Sequence, residues 1–283
     1  MSSATTVATG RRVRTRSAAG PRHNLTRGSA LGLGVGMIWL SLLVLIPLAA
    51  VVWTATSHGW DGFVGALDNQ QTLNALKLTV ISSLGVTALN LVMGTIIAWV
   101  LVRDRFPGKA LIDLVIDIPF ALPTIVAGLV LLSLYGPESP LGLHLNGTRY
   151  SVFLALAFVT VPFVVRTVQP VLEEMDTDVE DAAASLGATR MATFWRVILP
   201  TLAPAVFAGA TLSFARAISE YGSLVLLSGN LPNRTEVASV RVYSAIEGGN
   251  QASAAAVATI LLVVALAAIV SFDLMQRKVA RRG

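Results

Sequence analysis

The sequence predicts an all-α polytopic membrane protein with six transmembrane helices. Its 283 residues are 54% hydrophobic and only 13% charged, with a mean hydropathy of +0.70, a composition outside the range of soluble domains. The apolar residues fall into six segments long enough to cross a bilayer. Basic residues crowd at the chain ends and in short loops. This placement is typical of membrane topology, so the isoelectric point near 10.1 does not indicate a nucleic-acid partner.

Residue types that carry common catalytic or metal chemistry are scarce. The chain has no cysteine, which excludes disulfides and thiolate chemistry. His23, His58 and His144 are far apart and lie outside the apolar segments, so they do not form a metal set. Gly108-Lys109 lacks the earlier glycine of a phosphate-binding loop. We therefore expect no catalytic residue, no metal site, no bound cofactor and no ATP hydrolysis by this chain itself.

The two ends of the chain are basic. Residues 1–30 have six arginines and no acidic residue, and their composition predicts a disordered cytoplasmic tail that contacts anionic lipid. A second basic cytoplasmic tail is predicted at 276–283. The membrane domain between them is predicted at 31–275, with spans at about 31–52, 78–102, 111–135, 152–168, 203–227 and 252–272.

The third span contains the stretch IDIPFALPT, residues 116–124. Pro119 and Pro123 each remove a helix donor. We therefore expect this helix to be kinked or locally opened.

The distribution of charge predicts the topology. An even number of spans places both termini on one side, and 16 of the 21 Lys and Arg residues fall on that side, against four on the other. This bias predicts cytoplasmic N and C termini. The polar loop after the fourth span, residues 171–200, is then also cytoplasmic.

That loop contains TDVEDAAASLGATRMATFWRVILP, residues 177–200. Thr177 and Glu180 have the spacing of a capping box that opens a short helix. Gly187 stands where a left-handed turn ends this helix. A second short amphipathic segment follows, and Pro200 is expected to close it and open the next helix.

The loop resembles the cytoplasmic EAA loop of ABC importer permeases. The matching positions keep the family's spacing, with two departures: Asp181 stands for Glu and Val197 for Ile. The resemblance implies the fold of type I ABC importer permeases and a loop that docks into a groove of a separate ATPase. The residues implied in ATPase coupling are Asp181, Ala182, Ala183, Gly187, Val197, Leu199 and Pro200. Phe194 and Trp195, on the same loop, either anchor it at the membrane interface or contact the ATPase.

Three further stretches are similar to a narrower family, the sulfate/thiosulfate importer permeases, and closest to their T-type subunit. They are IDIPFALPT, VPFVVRTVQPVLEEMD and FARAISEYGSLVLLSGNLP, within a resemblance from about Met37 to Phe272. Molybdate/tungstate permeases share the loop and a related motif in the fifth span, and they are the alternative. A channel or secondary transporter that works without ATP is a further alternative, but it leaves the EAA-like pattern unexplained.

The resemblance implies the partners and the location. A homologous W-type permease would complete the pore, and an ATPase dimer would bind ATP and Mg. An extracytoplasmic sulfate-binding protein would deliver the anion. The location implied is the cytoplasmic (inner) membrane of a bacterium. The chain is then surrounded by the lipid membrane, and no nucleic-acid partner is expected.

Asp113 and Asp117 lie four residues apart and share a helix face. They either line the pathway or pair with basic residues near the inner interface. Two carboxylates serve a sulfate path poorly, because like charges repel. The second interpretation is therefore favoured, with Arg103, Arg105 and Lys109 as the partners considered.

Arg216 and Glu220 also share a face, on the fifth span. A rise of ~1.5 Å per residue from Pro200 puts Arg216 about 24 Å along the helix, in its outer half. An unpaired charge at that depth is costly, so both side chains should face protein or a wet cavity. Two interpretations stay open: the pair holds the fifth helix in place, or Arg216 lines the anion pathway while Glu220 orients it.

Overall fold

The computed structural model describes residues 27–57 and 59–280. Residues 1–26 of the predicted disordered tail lie outside the described part of the chain. The last four residues of that tail, 27–30, form the start of a helix. The predicted C-terminal tail is helical up to Ala280, and 281–283 lie outside the described part. The first seven described helices are α1 Arg27–Leu40, α2 Ile46–Thr56, α3 Gly59–Leu67, α4 Gln70–Arg103, α5 Lys109–Ala121, α6 Thr124–Tyr135 and α7 Arg149–Glu174. They are followed by α8 Thr177–Ser185, α9 Arg190–Thr193, α10 Leu199–Ile218, α11 Gly222–Leu227, α12 Ala238–Glu247 and α13 Gln251–Ala280.

The membrane-spanning helices confirm the predicted fold class. Among the described residues, five continuous helices are long and apolar enough to cross a bilayer, and a bent pair makes a sixth if it counts as one span. The continuous helices are Gly28–Thr56, Gln70–Arg103, Arg149–Glu174, Arg190–Ile218 and Gln251–Lys278, and the bent pair is Lys109–Ala121 with Thr124–Tyr135.

The described residues up to Leu48 and those from Ala49 form two compact units. In the first unit, a π turn at Ser41–Leu45 follows α1, and every described residue from Gly28 to Leu48 except Ser41 is exposed. A helix that is apolar on all sides is suited to surroundings without water.

The third span is opened between its two prolines, which is the second of the two outcomes expected from the sequence. Its halves, α5 and α6, meet at 116°. Leu122 precedes a proline and is extended, with φ −84° and ψ 134°, as the clash between a proline ring and the preceding residue requires. Pro123 then caps α6, whereas Pro119 is accommodated inside α5. The second proline of the motif therefore makes the break.

The fifth span differs from the predicted 203–227 at both ends. Helix runs without interruption from Arg190 through Pro200 to Ile218, so Pro200 does not separate two helices. A π turn at Phe194–Ile198 comes immediately before α10, and Pro200 is the second residue of α10. At the other end the chain breaks at 219–221 before the short α11 begins.

The centre of the second unit is formed by α4, α7 and α10. Glycines let these helices approach closely: a Cβ at Gly94 of α4 or at Gly209 of α10 would lie 2.8 or 2.9 Å from atoms of Val164 on α7. Small residues at such crossings are typical of membrane helices. α7 is therefore held on two sides by helix backbones.

A buried polar cluster also joins these three helices. The Asn90 amide of α4 donates to the Thr160 hydroxyl of α7 at 2.8 Å and to the Ser213 hydroxyl of α10 at 3.4 Å. All three residues are buried. Bonds of this kind between membrane helices contribute about 0.6–2 kcal/mol each, and here they fix the relative depth of three spans.

The second halves of the two broken spans pack on each other. A Cβ at Gly128 of α6 would lie 2.8 Å from Ser223 Cα, and one at Gly222 of α11 would lie 2.8 Å from the Ile125 nitrogen. Only hydrogen atoms fit between these backbones. The break in the third span and the break in the fifth are thus brought together.

Candidate coupling loop and transport residues

The loop after α7 begins with a helix whose cap differs from the prediction. Asp176, not Thr177, is the cap: it is extended, and its carboxylate accepts a hydrogen bond from the Asp178 nitrogen at 2.9 Å. Both residue types are favoured at this position, and aspartate is the better cap of the two. Glu180 is then free of a capping role, and it contacts Arg103 instead.

Gly187 makes the predicted left-handed turn, with φ +83°. The Gly187 nitrogen donates to the Ala184 carbonyl at 2.9 Å, and the Ala188 nitrogen donates to the Ala183 carbonyl at 3.0 Å. These are the two bonds of a Schellman motif, which closes a helix and reverses the chain. The turn directs the chain into α9 and from there into the fifth span.

The end of α4 holds both sides of this loop. Arg103 forms an ion pair with Glu180 of α8, and its guanidinium lies 5.6 Å from the Trp99 ring centre. Trp99 packs edge-to-face on Phe194 with ring centres 5.7 Å apart. One turn of α4 therefore positions α8 by charge and the segment before α10 by aromatic packing.

An apolar patch on the loop remains uncovered. Leu186, which precedes the glycine turn, is 90% exposed. The Trp195 indole is also exposed and donates to the Met191 sulfur at 3.1 Å. We call the four large apolar residues that are exposed on this loop the loop patch: Val179, Leu186, Met191 and Trp195. Exposed large apolar side chains on a single loop are typical of a binding surface.

The implied coupling residues divide into two sets. Asp181, Ala182 and Gly187 are exposed beside the loop patch, and Ala183 is half-buried. Val197, Leu199 and Pro200 are also half-buried, in the continuous helix that carries the loop into the fifth span. Phe194 is packed inward and Trp195 faces outward. The two aromatic residues therefore have different surroundings, which the sequence interpretation did not separate.

Asp113 and Asp117 of α5 pair with Arg166 of α7, not with the three basic residues considered from the sequence. Arg166 Nε donates to Asp117 Oδ1 and Nη1 donates to Asp113 Oδ1, both at 2.7 Å. Nη2 lies 2.7 Å from Asp117 Oδ2 and donates to the Asp113 carbonyl at 2.8 Å. Nη1 also donates to Gln169 Oε1 at 2.6 Å, so all five guanidinium donors have acceptors.

This network holds the first half of the broken third span against α7. Arg166 is 49 positions from Asp117 and 53 positions from Asp113 in the sequence. Helical spacing relates only residues a few positions apart, so the sequence indicated nearer basic residues instead. The available signal was Arg166 itself, a lone cation at the end of an apolar segment, because such a charge requires a partner.

Arg216 and Glu220 form the predicted pair, with Arg216 Nη2 2.6 Å from Glu220 Oε2. The Glu220 side chain is fully buried, and its Oε1 accepts bonds at 2.9 Å from both the nitrogen and the hydroxyl of Ser223. The Glu220 carbonyl accepts from the Ser239 hydroxyl at 2.6 Å. Glu220 therefore links α10, α11 and α12, while Arg216 stays partly exposed.

The candidate transport residues are not all brought together. Asp117 contacts Arg166 rather than Arg216. Pro119 is buried within α5, and Pro123 is exposed at the start of α6. Within the described residues, no group of three or more His, Cys, Asp or Glu is placed to hold a metal ion.

Comparison with known proteins gives the family. Residues 90–282 match the model of the binding-protein-dependent transport system inner membrane component. The chain is 38% identical over 262 residues to the sulfate transport system permease protein CysT of Salmonella typhimurium, covering 90% of this chain and 95% of that protein. It is 41% identical over 250 residues to CysT of a Synechocystis species, covering 86% and 87%.

The chain belongs to the CysT family of permeases. Among solved structures, this CysT-type permease is similar to a chain of a bacterial alginate ABC transporter, at 18% identity and a TM-score of 0.71, over 89% of this chain and 94% of that one. It is also similar to a chain of the MetNI methionine ABC transporter, at 19% identity and a TM-score of 0.54, over 72% and 96%. The CysT-type permease therefore has the fold of ABC importer permeases and is a multi-pass membrane protein.

Proposed function

We propose that this permease is the membrane subunit of an ATP-driven importer that carries sulfate and thiosulfate across the cytoplasmic membrane of a bacterium. The observation that carries the proposal is its 38% identity to a sulfate transport permease over 95% of that protein's length. The match to a binding-protein-dependent family supports an importer that receives its anion from an extracytoplasmic binding protein.

The loop at 171–200 is the proposed docking site for the ATPase. The loop patch offers apolar side chains to a groove on the partner, with Leu186 the most exposed of them. Asp181, Ala182, Ala183 and Gly187 set the shape and charge of the surface, and the continuous helix after Arg190 transmits movement to the fifth span. ATP and Mg are bound by the ATPase dimer.

The remaining partners and the topology follow from the same proposal. A W-type permease completes the pore beside this chain. Both termini lie in the cytoplasm, on the side where 16 of the 21 Lys and Arg residues are found. The exposed apolar residues 28–48 then cross lipid or contact the second permease.

Within the membrane, Arg216 is the proposed pathway residue and Glu220 the residue that holds it. Glu220 is fully buried and bonded to Ser223, whereas the Arg216 side chain is 27% exposed. A partly exposed guanidinium lowers the barrier to a dianion. Asp117 has a locking role through Arg166, and Pro119 and Pro123 shape the broken third span.

Uptake of labelled sulfate by a strain lacking this chain tests the proposal. We expect uptake to be lost, to return with the intact gene, and to be competed by unlabelled thiosulfate. Withholding ATP from the assembled complex should stop transport. If sulfate uptake persists while molybdate-dependent enzyme activity disappears, the substrate assignment is wrong. If uptake continues without ATP, the importer mechanism is wrong.

A further inference from the structure

A groove between the N-terminal halves of α4 and α7 combines a cationic rim with an apolar wall. Its volume is about 660 Å³. The rim holds three cations, Lys77, Arg149 and Arg234, and the wall is formed by Leu78, Ile81, Gly85 and Phe153. We call this cavity the α4–α7 groove. It is separate from the coupling loop and from the Arg216–Glu220 pair.

The charge of the groove is not neutralised by the chain. Among the described residues, none of the three rim cations forms an ion pair with a carboxylate. Arg149 donates through Nε to the Arg234 carbonyl at 3.3 Å, which brings these two residues together. The one acidic residue of the groove, Glu236, accepts a 2.6 Å bond from the Gln71 amide instead. The rim is therefore suited to an anion.

The apolar wall distinguishes among anions. Lys77 is adjacent to the apolar part of α4, and Gly85 lies about 12 Å further along the helix at ~1.5 Å per residue. Ile81 is 68% exposed on this wall, and Tyr150 is 77% exposed at the rim, where tyrosine is typical of the membrane–water interface. A small inorganic anion needs neither the apolar wall nor a cavity of this volume.

We propose that the α4–α7 groove binds an anionic phospholipid. The phosphate and acidic headgroup lie among the three cations, and the upper part of an acyl chain lies along Ile81 and Phe153. With the topology proposed above, the lipid belongs to the outer leaflet. The inference rests on the groove alone and holds whichever oxyanion the permease carries.

Native mass spectrometry of the purified importer complex tests the site. The complex is exchanged into detergent containing equal amounts of phosphatidylglycerol and phosphatidylcholine, and the retained lipid is counted. We expect one phosphatidylglycerol to be retained on this permease. In a variant with Lys77→Gln, Arg149→Gln and Arg234→Gln, retention should fall roughly tenfold or more, since a surface cation contributes about fivefold to attraction of an anionic lipid.

A matched variant removes the same charge at the opposite end of the molecule, with Arg105→Gln, Lys109→Gln and Lys278→Gln. It should retain the lipid as the unmodified complex does. Ile81→Gln places a polar group on the apolar wall at an exposed position, and it should weaken retention while leaving all cations in place.

Three results would overturn the proposal. Equal loss of retained lipid in the rim variant and the matched variant would mean that the lipid is held by general charge attraction and not at a specific site. Displacement of the lipid by inorganic sulfate would make the groove a small-anion site. Absence of retained lipid on the unmodified complex would mean that another subunit covers the groove.

Discussion

Arg103, the last residue of α4, forms an ion pair with Glu180 of α8. The Arg103 side chain is 19% exposed and the Glu180 side chain is 27% exposed. The ion pair is therefore less accessible to water than a surface pair and more accessible than a pair in the protein core. It ties the proposed docking loop to a membrane span. The contact thus offers a direct means of testing how the loop is held.

Breaking this pair should weaken coupling without unfolding the membrane domain. We expect Glu180→Gln to reduce sulfate uptake several-fold, since a partly exposed pair contributes about 1 kcal/mol. The double variant Arg103→Glu with Glu180→Arg should recover part of the activity. Uptake and ATP hydrolysis by the reconstituted complex measure the effect. Unchanged uptake in Glu180→Gln would show that the pair does not position the loop.

Gly187 should be sensitive to backbone strain alone. A Cβ there meets nothing within 4 Å, yet φ is +83°. Gly187→Val should therefore abolish uptake through strain, which costs about 1–2 kcal/mol or more for a β-branched residue. Gly187→Asn should keep more activity, because asparagine tolerates this conformation.

The matched control for that strain is Gly142, which has φ +68° and equally open surroundings outside the coupling loop. Gly142→Val should leave ATPase coupling intact. Asp181→Lys supplies a second test of the loop, because it reverses the charge of an exposed residue on the proposed docking surface. Normal uptake in both Gly187→Val and Asp181→Lys would remove the coupling role.

Arg166 should be needed to hold α5. Arg166→Gln leaves Asp113 and Asp117 without their cation, so the permease should lose about 1–3 kcal/mol of stability and become more sensitive to protease at 104–108. Adding Asp113→Asn and Asp117→Asn removes the repulsion and should restore much of the stability. Thermal unfolding in detergent and limited proteolysis provide the readouts. If the triple variant is no more stable than Arg166→Gln, the network does not lock the helix.

The roles of Arg216 and Glu220 can be distinguished, because the two side chains differ in burial. Arg216→Gln leaves a buried carboxylate unpaired, which should cost about 3–5 kcal/mol, whereas Glu220→Gln keeps an acceptor for Ser223. Arg216→Gln with Glu220→Gln should therefore assemble at normal levels. If Arg216 acts on the anion, this double variant stays slow in sulfate uptake. Recovery of the unmodified rate would make the pair structural only.

Close packing of α6 on α11 should make Gly222 intolerant of a methyl group. A Cβ at Gly222 would lie 2.2 Å from Thr124 Oγ1 and 2.8 Å from the Ile125 nitrogen. Gly222→Ala should destabilise the permease by about 1–3 kcal/mol. Adding Thr124→Ala should rescue it only in part, because the backbone contact remains. Gly32→Ala, with nothing within 4 Å, is the control and should not lower the temperature of thermal unfolding.

Local signals in the sequence predicted local structure well. Pro123 marked the opening of the third span, Gly187 the left-handed turn, and the i,i+4 spacing the Arg216–Glu220 pair. Each depends on backbone geometry within a few residues. The cap at Asp176 was missed by one position, because neighbouring aspartate and threonine residues satisfy the same rule.

Contacts distant in sequence could not be predicted in the same way. Arg166 finds its acids 49 and 53 positions away, and Asn90 meets Thr160 across 70. Neither separation carries a helical period, so only the packing of whole spans selects the partner. The end of α10 at Ile218 was not predicted either, because the residues of α11 after the break at 219–221 are also apolar and hydropathy does not mark the break.

The separation of 77 positions between Arg103 and Glu180 has a consequence for biogenesis. A nascent chain that has inserted only its first three spans carries Arg103 with neither Glu180 nor Phe194 available to it. The docking surface can be completed only after the fourth and fifth spans have emerged from the ribosome and entered the bilayer. If the loop docks an ATPase as proposed, unfinished or truncated permeases lack the ordered surface for it, and assembly of the importer waits for translation to pass the loop.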